Sequence, residues 1–292
     1  MRAPSEVPMK PYYEGWYMKQ QKGDDVLALI PGRAQDSAFI QVVTQQGARF
    51  LEFPLEDFSQ GKGFLRVGES LFTPRGMFLD VHTPDCTLTG RLRYHEVTPL
   101  RSDIMGPFAL LPMETKHTVF SMRHRVEGDV VLDGRALTFD GGLGYMEGDR
   151  GHSFPRGYTW VQSLDFGCAA SVMVAIAEIP LAGLRFTGCI AVVLLAGTEH
   201  RFATYRGVHI VESTEHTVEL RQGDMSLRVE VPETHGHRLQ APHEGAMERP
   251  IHESPSVPGR FRFVKDGHTL LESDGANTSF EYVSPEPVDA RA

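Results

Sequence analysis

GYMEGDRGHSFPRGYTWVQS, residues 144–163, sets Glu147, Asp149, Arg150, His152 and Arg156 beside Tyr145, Phe154, Tyr158 and Trp160. It runs straight into the apolar segment Val161–Ile179. Charged groups followed at once by buried-strand sequence point to a loop that delivers polar side chains to the mouth of a hydrophobic interior. A surface loop with one salt bridge and a few rim aromatics has the same composition, so the flanking chain has to decide.

Immediately downstream, Cys168–Gly197 divides into CAASVMVAIA and CIAVVLLAG around Glu178, Pro180, Gly183 and Arg185. Each half is about half the ~20 residues a membrane-spanning helix needs. Both suit strands buried on two faces and joined by a turn at IPLAG. Upstream, Tyr12–Gln20 and Val26–Pro31 read as strands around KGDD, and Phe39–Thr44 and Arg49–Pro54 as a pair around QQG. Phe64–Val67, Met77–His82, Thr87–Tyr94 and Thr118–Gly128 continue the pattern, with a helical turn at Leu55–Phe58. Beyond the apolar hairpin, strands are expected at His200–Val211, Thr217–Arg221, Met225–Val231, Gly259–Lys265 and Thr269–Ser273. Arg238–Pro258 reads as a loop rich in Pro, His and Glu, and the tail after Val283 as disordered.

Strands at short intervals without long amphipathic helices predict an all-β chain, built as barrels or curved sandwiches. Two halves meeting near Gly128–Gly157 are expected, divided as residues 1–135 and 136–292.

The totals narrow the function. A chain of 292 residues, 41% hydrophobic and 23% charged, can bury a sizeable core. Its formal charge of −9 excludes a nucleic-acid surface, which needs a dense Lys/Arg field. No basic run marks a membrane-binding patch, which leaves room only for transient contact with a membrane surface. Cys86, Cys168 and Cys189 lack metal-ligand spacing, and the two in apolar runs are expected as buried free thiols in a reducing compartment. The N-terminal MRAPSEVPMKPYYEGWY has no apolar core of a signal peptide, so a cytoplasmic location is expected. His235, His237 and His243 lie in a polar stretch without a matching Cys or acidic cluster, and Gly142-Leu-Gly144 lacks the rest of a dinucleotide fingerprint. No metal or cofactor is expected.

Four motifs, taken in order and spacing, resemble the tocopherol cyclase family: YEGWYMK at 13–19, MGPFALLPMETKHTVFSMRH at 105–124, GYMEGDRGHSFPRGYTWVQS at 144–163, and GAMERPIHES at 245–254. The resemblance runs from about Tyr12 to about Tyr282. It implies two successive lipocalin-like barrels, related to carotenoid hydratase and Diels–Alderase-type proteins. It also implies a cofactor-independent ring closure in an apolar barrel cavity, adding the phenol oxygen of a prenylated hydroquinone across a trisubstituted alkene. An apolar small molecule is then the expected partner. A non-catalytic carrier of a hydrophobic ligand, or an isomerase or hydratase of a polyene, fits the same motifs.

Such a reaction needs a neutral acid, an acceptor for the phenol proton and an apolar pocket. Glu147, beside Tyr145 and Phe154 in sequence, is the candidate acid if burial raises its pKa; a salt bridge to Arg150 or Arg156 would hold it ionised. Asp149 and His152 are candidates to relay the phenol proton, with turn capping the plainer role for His152. Trp160 and Gln162 alternate on a strand and share a face, either as cavity wall or as core. Trp160 could stabilise a developing cation by up to ~2 kcal/mol. Glu14 and Trp16 likewise share a face of the first strand, with Tyr13 and Tyr17 on the other; an acid beside a Trp points to a substrate-binding face, and rim exposure explains it equally well. Glu114 and His117 are expected as substrate-orienting or structural groups. Arg249 and Glu253 are expected as a buried ion pair stapling a long loop across the barrel mouth.

Overall fold

The computed structural model describes residues 12–181, 184–232 and 236–284. The tail expected to be disordered after Val283 falls outside them from residue 285 on, as do residues 1–11 of the N-terminal reading and His235.

The chain opens with the hairpins β1 (Tyr13–Lys22), β2 (Asp25–Arg33), β3 (Ser37–Thr44) and β4 (Gly47–Pro54). A 3-10 turn, Leu55–Asp57, leads into β5 (Phe58–Gly61), β6 (Phe64–Val67), β7 (Ser70–Thr73), β8 (Gly76–Thr83) and β9 (Cys86–His95). A connection holding the turn Gly106–Leu110 precedes β10 (Thr115–Leu132), β11 (Arg135–Thr138) and β12 (Gly142–Gly151). These strands form one sheet in the order β4-β3-β2-β1-β12-β10-β9-β8-β7-β6-β5, with β11 on β10. β4 and β5 stand at opposite edges, yet only Leu55–Asp57 separates them in the chain. The sheet therefore has to curl until its edges meet, wrapping a core that includes Met18, Leu29, Ile40, Leu65, Phe72, Leu88, Val126 and Met146.

The second sheet repeats this logic. It comprises β13 (Tyr158–Ser163), β14 (Ala170–Leu181), β15 (Leu184–Leu195), β16 (Thr198–Ala203), β17 (His209–Ser213), β18 (Thr217–Gln222), β19 (Met225–Glu230), β20 (His237–His243), β21 (Ala246–Lys265) and β22 (His268–Val283). The order is β16-β15-β14-β13-β22-β21-β19-β18-β17, with β20 on β21. Its edge strands β16 and β17 are joined through the turn Thr204–Arg206, and its core includes Val161, Val172, Val193, Phe202, Leu227, Phe261 and Phe263. In both sheets the first strand pairs antiparallel with the last, β1 with β12 and β13 with β22.

A third apolar cluster joins the two: Tyr17, Val119, Met122 and Tyr145 from the first sheet meet Trp160, Met173, Val192 and Ile251 from the second. The strand period explains it. On β1, Trp16 and Met18 enter the first core while Tyr17 faces the other sheet. On β14, Val172 and Val174 enter the second core while Met173 joins the central layer. That double burial is why the apolar segment shows no polar alternation.

The all-β expectation holds, and four details change. Arg238–Pro258 is not a loop: β20 and β21 pair there, from His237↔Glu253 to His243↔Ala246. Sheet membership changes between Gly151 and Tyr158 and not at residue 135, because β12 inserts between β1 and β10. Cys168 is exposed at the turn before β14, whereas Cys86 and Cys189 are buried. The apolar cavity lies between the two sheets, since each curl is occupied by its own side chains. No helix among the described residues is long and apolar enough to cross a membrane.

Candidate functional site

The cavity measures about 190 Å³. A 150 Å³ apolar cavity holds a benzene ring, so this space suits one ring-sized group. Its aromatic and aliphatic wall includes Tyr13, Phe39, Phe108, Trp160, Leu239 and Ile251. Among the described residues its ionisable lining is Glu114, His117, Glu147, Asp149, Glu178, Glu281, Cys189 and tyrosines, with no Lys or Arg.

β12 carries the polar centre. Tyr145, Glu147 and Asp149 project from one face, while Met146 enters the first core from the other. Gly148, on the core side, is closely packed: a Cβ there would lie 2.7 Å from Phe120 and 3.1 Å from Trp16. β10 runs alongside, so His117 stands directly opposite Asp149. The imidazole Nδ1 is 3.0 Å from Asp149 Oδ1, and Nε2 is 3.3 Å from Glu147 Oε2. The first is a hydrogen bond; the second is off the N–H line, which makes it an electrostatic contact. Burial opposes the charged imidazole, but Asp149 and Glu147 outweigh it and raise the His117 pKa well above 6.5. His117 is thus an imidazolium held between two carboxylates.

Glu147 is 4% exposed, and its Oε2 accepts the Tyr145 hydroxyl at 2.5 Å and Trp160 Nε1 at 3.3 Å. Neither Arg150 nor Arg156 forms an ion pair with it. Its surroundings are donors and a cation, an arrangement that suits a proton acceptor.

A second polar centre faces the same space from the other sheet. Glu281 on β22 lines the cavity beside Trp160, its cross-strand partner, and accepts the Tyr158 hydroxyl on Oε2 at 2.8 Å. Burial, reinforced by Glu253, pushes its pKa well above 4.5. Glu281 therefore carries its proton well into the range where an ordinary glutamate has lost it. Behind it, Glu253 is fully buried and accepts the Tyr17 hydroxyl at 2.7 Å. Burial raises its pKa to about 7. Lys19, also fully buried, donates to Asn277 O at 2.6 Å and Ser279 Oγ at 2.9 Å, and burial lowers its pKa to about 7.

The structure brings together Glu147, Asp149, Glu114, His117 and Trp160 on the cavity, with Tyr145 directly behind Glu147. Others lie elsewhere. His152 is exposed and joins the structure through its backbone, to Glu114 O and from Gly245 N. Glu14 and Trp16 are on the wrong face of β1: Glu14 meets Arg33 and Tyr12, Trp16 packs on Phe120, and Tyr13 and Tyr17 take the cavity side. Gln162 shares Trp160's side of the strand but is fully buried and not part of the cavity lining, with neither amide atom bonded among the described residues. Arg249 does not pair with Glu253, because four residues along a strand separate side chains by about 13 Å. It donates instead to Pro155 O at 2.7 Å and Arg156 O at 2.5 Å, clamping the loop that carries Phe154.

Tyr158, Glu281, Tyr17, Glu253 and Lys19 escaped the sequence reading as site residues. Tyr158 shares Trp160's alternation, and Glu281 is an acid inside SFEYV, a strand-like run where no solvent face is called for.

His117, Glu147 and Asp149 bring donor atoms within 4.8 Å of one another. These atoms are already engaged within the protein: His117 Nδ1 bonds Asp149 Oδ1, and Glu147 Oε2 accepts from Tyr145 and Trp160. The donor set fits a hydrogen-bonded acid–base triad better than a metal centre.

The chain matches no protein-family model and no curated protein. Solved structures do resemble it. CghA in complex with Sch210972 aligns with a TM-score of 0.61 at 10% identity, over 95% of this chain and 89% of that one. Kievitone hydratase from Nectria haematococca aligns with a TM-score of 0.56 at 9% identity, over 94% of this chain and 89% of that one. At such identities the likeness is one of fold, two curled antiparallel sheets in tandem.

Proposed function

We propose that this protein is a cofactor-independent acid–base enzyme acting on a neutral, ring-bearing apolar molecule held between the two sheets. The observation that carries the reading is a pair of carboxyl groups in opposite roles on one cavity: Glu281, kept protonated by burial, and Glu147, ringed by Tyr145, Trp160 and the His117 imidazolium. The absence of Lys and Arg from the described lining favours a neutral substrate over a phosphate or carboxylate.

The finer reading is tocopherol cyclase-like ring closure of a prenylated hydroquinone. Glu281 gives its proton to the alkene, forming a C–H bond and tertiary-cation character beside the Trp160 face, a placement worth up to ~2 kcal/mol. The phenol oxygen bonds to that carbon and its proton passes to Glu147, so the product is an isomer of the substrate. Glu147 then returns a proton to Glu281 through solvent. Asp149 holds His117 in place, and His117 steadies the charge on Glu147. Water in the place of the phenol would make the same site a hydratase, the activity named for the structurally similar kievitone hydratase.

The test is incubation with prenylated benzoquinols and naphthoquinols in D₂O, followed by chromatography and mass spectrometry. A ring-closed or hydrated product with one carbon-bound deuterium is expected. Glu281→Gln and Glu147→Gln should each lower turnover by about 10²–10⁴-fold. Binding of these quinols without conversion, in folded protein, would replace this reading with that of a carrier.

A further inference from the structure

Glu253 and Glu281 stand directly opposite each other on β21 and β22. Cα atoms of such a pair lie about 4.5–5.5 Å apart. Both residues are more than nine-tenths buried, and each receives one tyrosine hydroxyl, Tyr17 on Glu253 and Tyr158 on Glu281. Only Glu281 lines the cavity, and Glu253 Oε2 has no partner among the described residues.

We propose that the two form a carboxyl dyad in which Glu253, sealed behind the cavity wall, acts as a positioning residue that keeps Glu281 in its proton-bearing form. Two carboxyl groups this close in a buried site cannot both ionise cheaply, so the proton lost from one is retained by the other. The asymmetry decides which. Glu253 is faced by Tyr17 and Lys19 from β1, Glu147 from β12 and Glu281 from β22. Its partner on β20, His237, turns its ring to Gln45 O. Lys19 Nζ joins the group through Ser279 Oγ, which also lies 3.2 Å from the Tyr17 hydroxyl. Glu281 is faced by Tyr158 and by Glu253, Glu147 and Asp149, with no Lys or Arg among the described residues that line the cavity; Arg249 acts on Tyr158 while its guanidinium donates to the carbonyls of Pro155 and Arg156. The charge of a dyad bearing one proton therefore settles on Glu253, beside Lys19, and the proton on Glu281, toward the cavity. Burial shifts both carboxyl groups upward, Glu253 to about 7 and Glu281 well above the usual glutamate value. Motifs 13–19 and 245–254 supply Tyr17, Lys19 and Glu253 for this arrangement, which explains why two distant segments carry these residues.

The inference rests on the acid role proposed for Glu281, and its test needs no turnover. Protein labelled with ¹³C at the glutamate carboxyl carbon is titrated by NMR, with Glu281→Gln assigning the resonance. In Glu253→Gln, the proton affinity of Glu281 should fall about tenfold or more. If that variant does not fold, Lys19→Met serves: it should move both carboxyl titrations upward. A Glu281 titration that stays in place in folded Glu253→Gln, or carboxyl titrations unmoved in Lys19→Met, overturns the dyad while leaving the acid role of Glu281 to be judged by turnover.

Discussion

Replacing Lys19 with Met should make stability less dependent on alkaline pH, in a way the structure quantifies. Lys19 is fully buried, and burial lowers its pKa from 10.5 to about 7. That fall corresponds to about 4–5 kcal/mol against the charged form. The sign follows from proton counting. Between pH 7 and 10.5 the unfolded chain keeps a proton on this lysine that the folded chain has released. Stability of the native protein therefore rises with pH across that window and is lowest, for this group, at and below pH 7. Methionine has similar length and no charge, so the variant lacks this slope. It also loses the bonds to Asn277 O and Ser279 Oγ, at about 1 kcal/mol each. Near pH 7 the relief of the buried charge offsets those losses, and the two proteins should have stabilities within about 2 kcal/mol of each other. By pH 10 the native protein should have gained about 3–4 kcal/mol relative to the variant. Urea unfolding of both proteins at pH 7, 8.5 and 10 measures the difference directly; groups common to both cancel except Glu253 and Glu281, whose higher titration in the variant widens the difference. A difference flat to within about 1 kcal/mol across that range would refute the reasoning, because it would mean that Lys19 has the same pKa folded and unfolded.

Other consequences are as specific. His117→Gln should destabilise the fold by about 3 kcal/mol at pH 6, by leaving Asp149 and Glu147 facing each other without the cation. Because the His117 pKa is raised, its stabilisation is complete below 6.5 and is lost as pH climbs through the folded value, so the deficit should shrink in alkaline melts. Gly148→Ala should cost about 1–3 kcal/mol in thermal or chemical unfolding, since the new methyl meets Phe120 and Trp16. Arg249→Met releases the carbonyls of Pro155 and Arg156 and should speed limited proteolysis between Phe154 and Gly157, with the melting of the remaining fold little changed.

How much of this was readable in the sequence depended on whether one strand or two had to be known. Composition and turn spacing sufficed for the all-β class, and alternation within a single strand correctly paired Trp160 with Gln162 and Glu14 with Trp16. What alternation cannot supply is the identity of the face. β1 is buried on both sides, Met18 in the first core and Tyr17 against the second sheet, so no polar stripe marked the outside and the cavity side was assigned in reverse. The histidine nearest these acids is hidden in the sequence for a related reason. His152 is the neighbour of Glu147 and Asp149 along the chain, but His117 is their neighbour across it, and that depends on the β10–β12 register with its bulges between Val119 and His124. Arg249 and Glu253 follow from strand geometry: with GAMERPIHES as strand, their side chains stand too far apart to pair. A buried acid is the more general signal. Glu281 interrupts SFEYV, a run otherwise fit for a β interior, and Glu253 is buried although the sequence around it is polar; burying a carboxyl group demands either a partner or a proton. Here each has a tyrosine hydroxyl and the other carboxyl close by, which makes the proton the necessary third component. The acid role proposed for this cavity thus rests on where two glutamates fall, directly opposite each other on neighbouring strands of the second sheet.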